Sequence, residues 1–192
     1  MKKLVIFLLV SICTSIYGFS QARISSVYGV NLGDSEYSVI SALESQGKTG
    51  KFKTNSKGEK YYSVSNPTLG ICTFEVGNFV FDSSGDLERV VFVCSDNYLG
   101  IPSLSEQTNF HYTRCINSAS KFQRIFNTMR SDLIDKYGTP NIDDEERAVW
   151  KSNGNLIELY YSFEEKQESW GNVQCDAFVR VTYRKDNNSS NF

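Results

Sequence analysis

Five cysteines, a single histidine and one dense acidic run are the side chains of this 192-residue chain with the most evident capacity for chemistry. His111 stands alone in a polar stretch. A catalytic imidazole needs a nucleophile on one side and an orienting carboxylate on the other, and no spacing here supplies both. His111 therefore reads as an exposed or locally bonded residue. One histidine also leaves little room for His-based metal sites. Asp143-Asp144-Glu145-Glu146 is the acidic run. Calcium loops alternate ligands with spacers and need a glycine for the sharp turn, so four consecutive carboxylates read as a solvated loop. Asp82-Ser83-Ser84-Gly85-Asp86 fails the same pattern and reads as a hairpin turn. Neither GxSxG nor a P-loop is present, and nothing singles out a carboxylate pair of the glycosidase kind. No residue is assigned a catalytic, metal or cofactor role, and no cofactor is expected.

The cysteines divide into one and four. Met1-Lys2-Lys3 is a positive start, Leu4 to Ile12 is apolar apart from Ser11, and Gly18-Phe19-Ser20 puts small residues at −3 and −1 before Gln21. That is the layout of a secretory signal peptide over residues 1–20, with a second cleavage choice after Ala22. The apolar run falls short of the about 20 residues a membrane span requires. Cys13 raises the alternative of a lipid anchor, but Ile12 stands where a lipobox wants a small residue. Cleavage after Ser20 would leave 172 residues with 18 basic and 22 acidic side chains. Cys72, Cys94, Cys115 and Cys175 then form an even set suited to two disulfides in an exported protein, with buried free thiols as the alternative.

Composition narrows the classes further. The chain is 40% hydrophobic, 14% aromatic and 22% charged, which excludes disorder and collagen-like repeats. A formal net charge of −2 gives no electrostatic reason to bind nucleic acid.

The elements that must position these residues follow from periodicity. Ser35 caps a helix carrying Val39, Ile40 and Leu43 on one face and stopping at Gly47. Gly50 to Lys60, with four lysines and two glycines, reads as a mobile loop. Tyr61–Ser65, Ile71–Phe81 and Leu87–Cys94 read as strands. In the second of these, Cys72, Phe74, Val76 and Val80 share one face. Cys115–Tyr137 is the longest helical pattern, with Ile116, Ala119, Phe122, Phe126, Met129, Leu133 and Tyr137 on its apolar stripe. Arg147–Lys151, Leu156–Phe163 and Val173–Arg184 are three more strands, and residues 186–192 form a polar tail. The expectation is an α+β fold in two halves, 21–100 and 101–185, each a helix followed by three antiparallel strands. An echo between Phe81-Asp82-Ser83-Ser84-Gly85-Asp86-Leu87 and Trp150-Lys151-Ser152-Asn153-Gly154-Asn155-Leu156 suggests an αβββ pseudo-repeat.

Gly33-x-Ser35-x-x-x-Val39-x-x-x-Leu43, Phe79-Val80-Phe81 with Leu87-x-x-Val90-x-Phe92, and Leu133-x-x-x-Tyr137-Gly138-x-Pro140 with the later Trp150 carry a resemblance. In layout the chain resembles small exported bacterial proteins of the BamE (SmpA/OmlA) and β-lactamase-inhibitor-protein folds. The resemblance implies helices on one face of an antiparallel sheet and a role in binding other proteins.

This topology pairs Cys72 with Cys94 on neighbouring strands, provided a bulge at Gly77-Asn78 corrects the register. Cys115 with Cys175 follows by elimination. That second pair is an uneasy one, because three strands after the helix put the two residues at opposite ends. Alternation points Tyr61, Tyr62, Tyr160 and Phe178 away from the helices, as a binding face or as cross-strand pairs that stabilise the sheet. The functional expectation is an exported, non-enzymatic protein-binding module of the cell envelope whose partner is another envelope or extracellular protein. A secreted hydrolase with carboxylates assembled in space and a structural envelope component are the alternatives.

Overall fold

The computed structural model describes residue 24 and residues 26–100, 107–167 and 173–186, with the side chains of 97–100, 107–113, 167 and 173 outside the description. The expected signal peptide and Cys13 lie outside the described residues, as do 187–192 of the tail. Asp186 is tied down, its N–H donating to the Gly154 carbonyl at 2.7 Å and its carboxylate pairing with Lys151 at 3.1 Å.

The chain is an α+β protein. Helix α1 spans Glu36–Ser45 and α2 spans Gln107–Tyr137. Ser35 caps α1 through its side chain, and Gly47 at φ 70° ends it with the Gly47 and Lys48 N–H groups closing on Glu44 and Leu43. Helix α2 begins eight residues before the expected Cys115, since no glycine or proline between Gln107 and Cys115 interrupts it. Its buried stripe is Cys115, Ser118, Phe122, Phe126, Met129, Leu133 and Tyr137, spaced by three and four. Ile116, expected on that stripe, is 45% exposed, because it sits about 100° around the helix from Cys115.

Eight antiparallel strands build the main sheet in the order β1-β2-β5-β6-β10-β9-β8-β7. They are β1 Gly50–Thr54, β2 Lys60–Ser65, β5 Val76–Phe81, β6 Leu87–Gly100, β7 Ile142–Asp143, β8 Arg147–Ser152, β9 Asn155–Gln167 and β10 Val173–Lys185. A separate hairpin pairs β3 Thr68–Leu69 with β4 Cys72–Thr73. Each half thus supplies four strands to the main sheet where three were expected, and the halves meet at the β6–β10 pairing. The echoed hairpins sit at unlike places, one joining the last two of its four strands and the other the middle two. Their shared residues reflect turn chemistry, with Gly85 and Gly154 both at positive φ.

The first part of the expected mobile loop, Gly50–Thr54, is in fact the edge strand β1; residues 55–59 form the turn that follows, and Lys60 already belongs to β2. Its Lys-Phe-Lys-Thr alternation puts Phe52 against Tyr62, ring centroids 5.3 Å apart, and leaves Lys51 and Lys53 exposed. Lysines on an outer strand deter edge-to-edge pairing, so a polar composition here marks an edge strand.

The expected strand Ile71–Phe81 is broken at Phe74-Glu75. Phe74 N–H turns to the Pro67 carbonyl at 2.8 Å, and Cys72 leaves the main sheet for the small hairpin. Regular pairing resumes with Val76 opposite Val93, and the register shift falls at Val80/Phe81 instead of Gly77-Asn78. The face assignment changes accordingly: Phe79 and Gly77 line up with Val90 and Phe92, and Val80 belongs to the opposite face.

Helix α2 lies on the sheet face bearing Cys175, Ala177, Val179, Val181 and Tyr183. Tyr161 Oη donates to the Ala119 carbonyl, the Phe126 and Tyr161 rings meet at 6.1 Å, and Trp150 Nε1 donates to the Gly138 carbonyl at 2.7 Å. Val39 and Leu43 of α1 belong to the same buried cluster as Phe79, Phe92, Phe122 and Trp150.

The Cys115–Cys175 disulfide is formed, with Cα atoms 5.8 Å apart. Cys72 and Cys94 are buried free thiols, which corrects the expected second bridge. Extending the β5–β6 register would put Cys72 opposite Asn97, and no bulge brings it to Cys94.

Candidate functional site

Strand register decides which expected aromatics share a surface. Phe178, Arg180, Thr182 and Arg184 alternate on the β10 face turned away from α2, and Arg180 pairs across to Tyr160. Tyr160 and Phe178 meet with ring centroids 5.7 Å apart, and the Arg180 guanidinium lies 5.4 Å from the Tyr160 ring centre. All three are half-buried. A planar cation over an aromatic face adds roughly 0.5–1 kcal/mol at a partly exposed site and presents its free edge outward.

The other two aromatics do not join them. Tyr61 is on the same face but on β2, separated from Tyr160 on β9 by β5, β6 and β10. Tyr62 is on the α2 side, 6% exposed and packed on Phe52, which removes it from any outer surface. The expected face of four aromatics is therefore a pair, and Arg180 is the residue the pattern missed. Its signal is the Phe178-x-Arg180 alternation, meaningful only once Tyr160 is known to lie opposite.

Charged groups frame the pair. Arg147 Nε reaches Glu158 at 2.6 Å on one flank. On the other, a depression of about 370 Å³ is bordered by Phe178, Asp176 and Glu164. A hydrogen bond from Lys166, with its charge, holds the Glu164 carboxyl below its ordinary value. Among the described residues the resolved carboxyl shifts are those of Glu59 and Glu164, and both are downward. Hydrogen bonds from Arg89 and then Asn55 lower Glu59. Arg180 Nε has no hydrogen-bond partner although it is shielded from solvent.

The acidic run is exposed, as expected, and its first two residues also have local structural roles. Asp143 is in β7 and pairs with Arg130, accepting from its Nε at 2.7 Å. Asp144 caps the following turn, accepting from the Glu146 N–H at 3.1 Å. Asp82 does the same for its hairpin, its side chain accepting from the N–H groups of Ser84 and Asp86. Among the described residues no three His, Cys, Asp or Glu side chains are grouped to hold a metal ion. The backbone of His111 belongs to α2, and its side chain lies outside the described residues. No described helix is long and apolar enough to cross a membrane.

Compared with known proteins, the chain matches no family model, no curated protein and no solved structure.

Proposed function

We propose that this protein is an exported, non-enzymatic binding module that engages another protein through the sheet face opposite α2. The observation that carries the reading is the Phe178–Tyr160–Arg180 cluster, in which the two rings meet at a tilt and the guanidinium lies over Tyr160. Tyrosine, phenylalanine and arginine are enriched at protein interfaces: the aromatic rings bury a large area with few rotatable bonds, and arginine adds several hydrogen-bond donors. The flanking charges are of both signs, Arg147 and Arg180 beside Glu158, Glu164 and Asp176, which suits a mixed-charge protein surface better than a polyanion.

Export is supported by the leader pattern of residues 1–20 and by the Cys115–Cys175 disulfide, which an oxidising compartment maintains. The same reading takes the two halves as related units, each a helix and four main-sheet strands with both helices on one side. That layout is the support for the resemblance to the BamE and β-lactamase-inhibitor-protein folds.

Photo-crosslinking in the producing cell tests the face. A benzophenone side chain at position 160 or 178 should give a discrete protein adduct, and one at Arg124 on the exposed side of α2 should not. Arg180→Leu should reduce the adduct about tenfold or more while leaving the fold intact. Equal labelling from all three positions, or none from 160 and 178, overturns the assignment.

A further inference from the structure

A second site lies on the other side of the sheet. Between α2, the turn at Val27–Val30 and the β3–β4 hairpin there is a cavity of about 460 Å³, within the range of small-ligand pockets. Its inner wall is apolar, with Phe92 and Val181 from the sheet and Met129 and Leu133 from α2. Its mouth carries Asp132, Asp135 and Lys136.

The outer wall is held by several independent bonds. Tyr28 sits at φ 57°, a left-handed conformation that costs a side-chain-bearing residue roughly 1 kcal/mol or more. Three contacts keep it there. Its hydroxyl donates to the Thr68 carbonyl, its own carbonyl accepts from Gln46 Nε2 at 2.7 Å, and its ring meets Phe92 at 5.8 Å. Gly70, at φ 59°, turns the hairpin opposite, and a Cβ there would stand 2.5 Å from Asp132 Oδ2. The absence of that Cβ lets the carboxylate lie against the hairpin backbone at the cavity mouth.

Charge at the mouth is unbalanced. Lys136 is drawn over the Tyr137 ring at 5.1 Å, and no ion pair or hydrogen bond joins any described side chain to the Asp132 or Asp135 carboxylate. Aromatic walls and two unpaired carboxylates favour the same kind of guest, since both attract a positive charge carried on an apolar body. We infer that this cavity binds a small organic ammonium ion, its apolar body between Tyr28, Phe92 and Leu133 and its charged nitrogen at Asp132 and Asp135. The site is independent of the Tyr160–Phe178 face, and neither assignment needs the other.

Calorimetric titration of the purified protein with phenylbutylamine, phenylbutanol and phenylbutyrate tests it, since the three share one body and differ in head group. The amine should bind about tenfold tighter than the alcohol, and the acid weakest of the three. Asp132→Asn should weaken the amine about fivefold and leave the alcohol unchanged. Asp135→Asn, at an exposed position, should act the same way and serves if the first variant does not fold. Leu69→Trp, filling the mouth, should abolish binding of all three. Equal affinities would make the cavity a charge-blind apolar hole and overturn the inference. So would tightest binding of the acid, no binding of any probe, or an amine affinity unmoved by both aspartate variants.

Discussion

Cys115 near the start of α2 and Cys175 near the start of β10 are bridged because the helix and the strand run in the same direction. The far end of α2 confirms the direction, since Gly138 accepts from Trp150, which is in register with Ile157 and through it with Tyr183 near the end of β10. The short strand β7 is responsible. Three strands after the helix would reverse β10 and part the cysteines, whereas a fourth, only Ile142–Asp143 long, restores the parity.

The bridge closes a 60-residue separation, and cross-links of that span typically stabilise by about 2–4 kcal/mol through the unfolded chain. Changing both Cys115 and Cys175 to serine should lower stability by that amount. Denaturant titration with and without reductant checks it: the wild type should lose stability on reduction and the double variant should be indifferent. Equal sensitivity of the two would show that the bridge contributes nothing.

Gly77 is a packing glycine. A Cβ there would meet Phe92 Cε1 at 3.0 Å and Pro67 Cγ at 3.1 Å. Gly77→Ala should therefore cost about 1–3 kcal/mol, and Gly77→Val more, since the sheet and the turn at Pro67 close on that position from two sides. Thermal unfolding measures it, and an unchanged alanine variant would mean that Phe92 can move aside freely.

The free thiols and a buried tyrosine should make the fold sensitive to alkali. Burial, followed by the charges of Glu75 and Cys72, pushes the Cys94 thiol up from 9.0 to about 11, against a hydrogen bond with the Val179 backbone. Burial likewise raises Cys72, and it raises Tyr183 from 10.0 to about 12. Such groups keep their protons in the fold and lose them sooner in the unfolded chain. Their stabilising contribution is therefore complete below pH 9 and is lost as the pH rises toward 11 and 12. The urea midpoint should be flat up to about pH 8 and fall by about pH 10.5, with a shallower fall in Cys94→Ala. Iodoacetamide should label Cys72 and Cys94 only slowly in the native protein near neutral pH.

Much of the fold was legible because it is locally encoded. Ser35 and Gly47 delimit α1, the Phe122-to-Tyr137 stripe identifies α2, and Cys175-x-Ala177-x-Val179-x-Val181-x-Tyr183 reads directly as a strand with one buried face. Asp82-Ser83-Ser84-Gly85-Asp86 likewise announces its turn. These signals survive because caps, turns and side-chain periods of two or three to four depend on neighbours in the chain.

The candidate sites were legible only in part. Tyr160 and Phe178 were recognised as aromatics of the outward face, yet their contact and the placement of Arg180 over Tyr160 require the β9–β10 register. Tyr62 was misplaced because both faces of β2 carry buried residues, so alternation alone does not say which side meets the helix. The cavity beneath Tyr28 had no signal, since its walls come from residues far apart in the chain.

By itself, the sequence determined the α+β class and most of the helices and strands, whereas it reached the pairing of Cys115 with Cys175 only by eliminating a Cys72–Cys94 bridge that does not form. Tertiary structure alone decided that the lysine-rich segment at Gly50 is an edge strand, that Cys72 and Cys94 stay apart, and which aromatics meet. The physical reason is one of range. Propensity and periodicity act over a few residues, whereas strand order, parity and register are set by what the whole chain can bury at once.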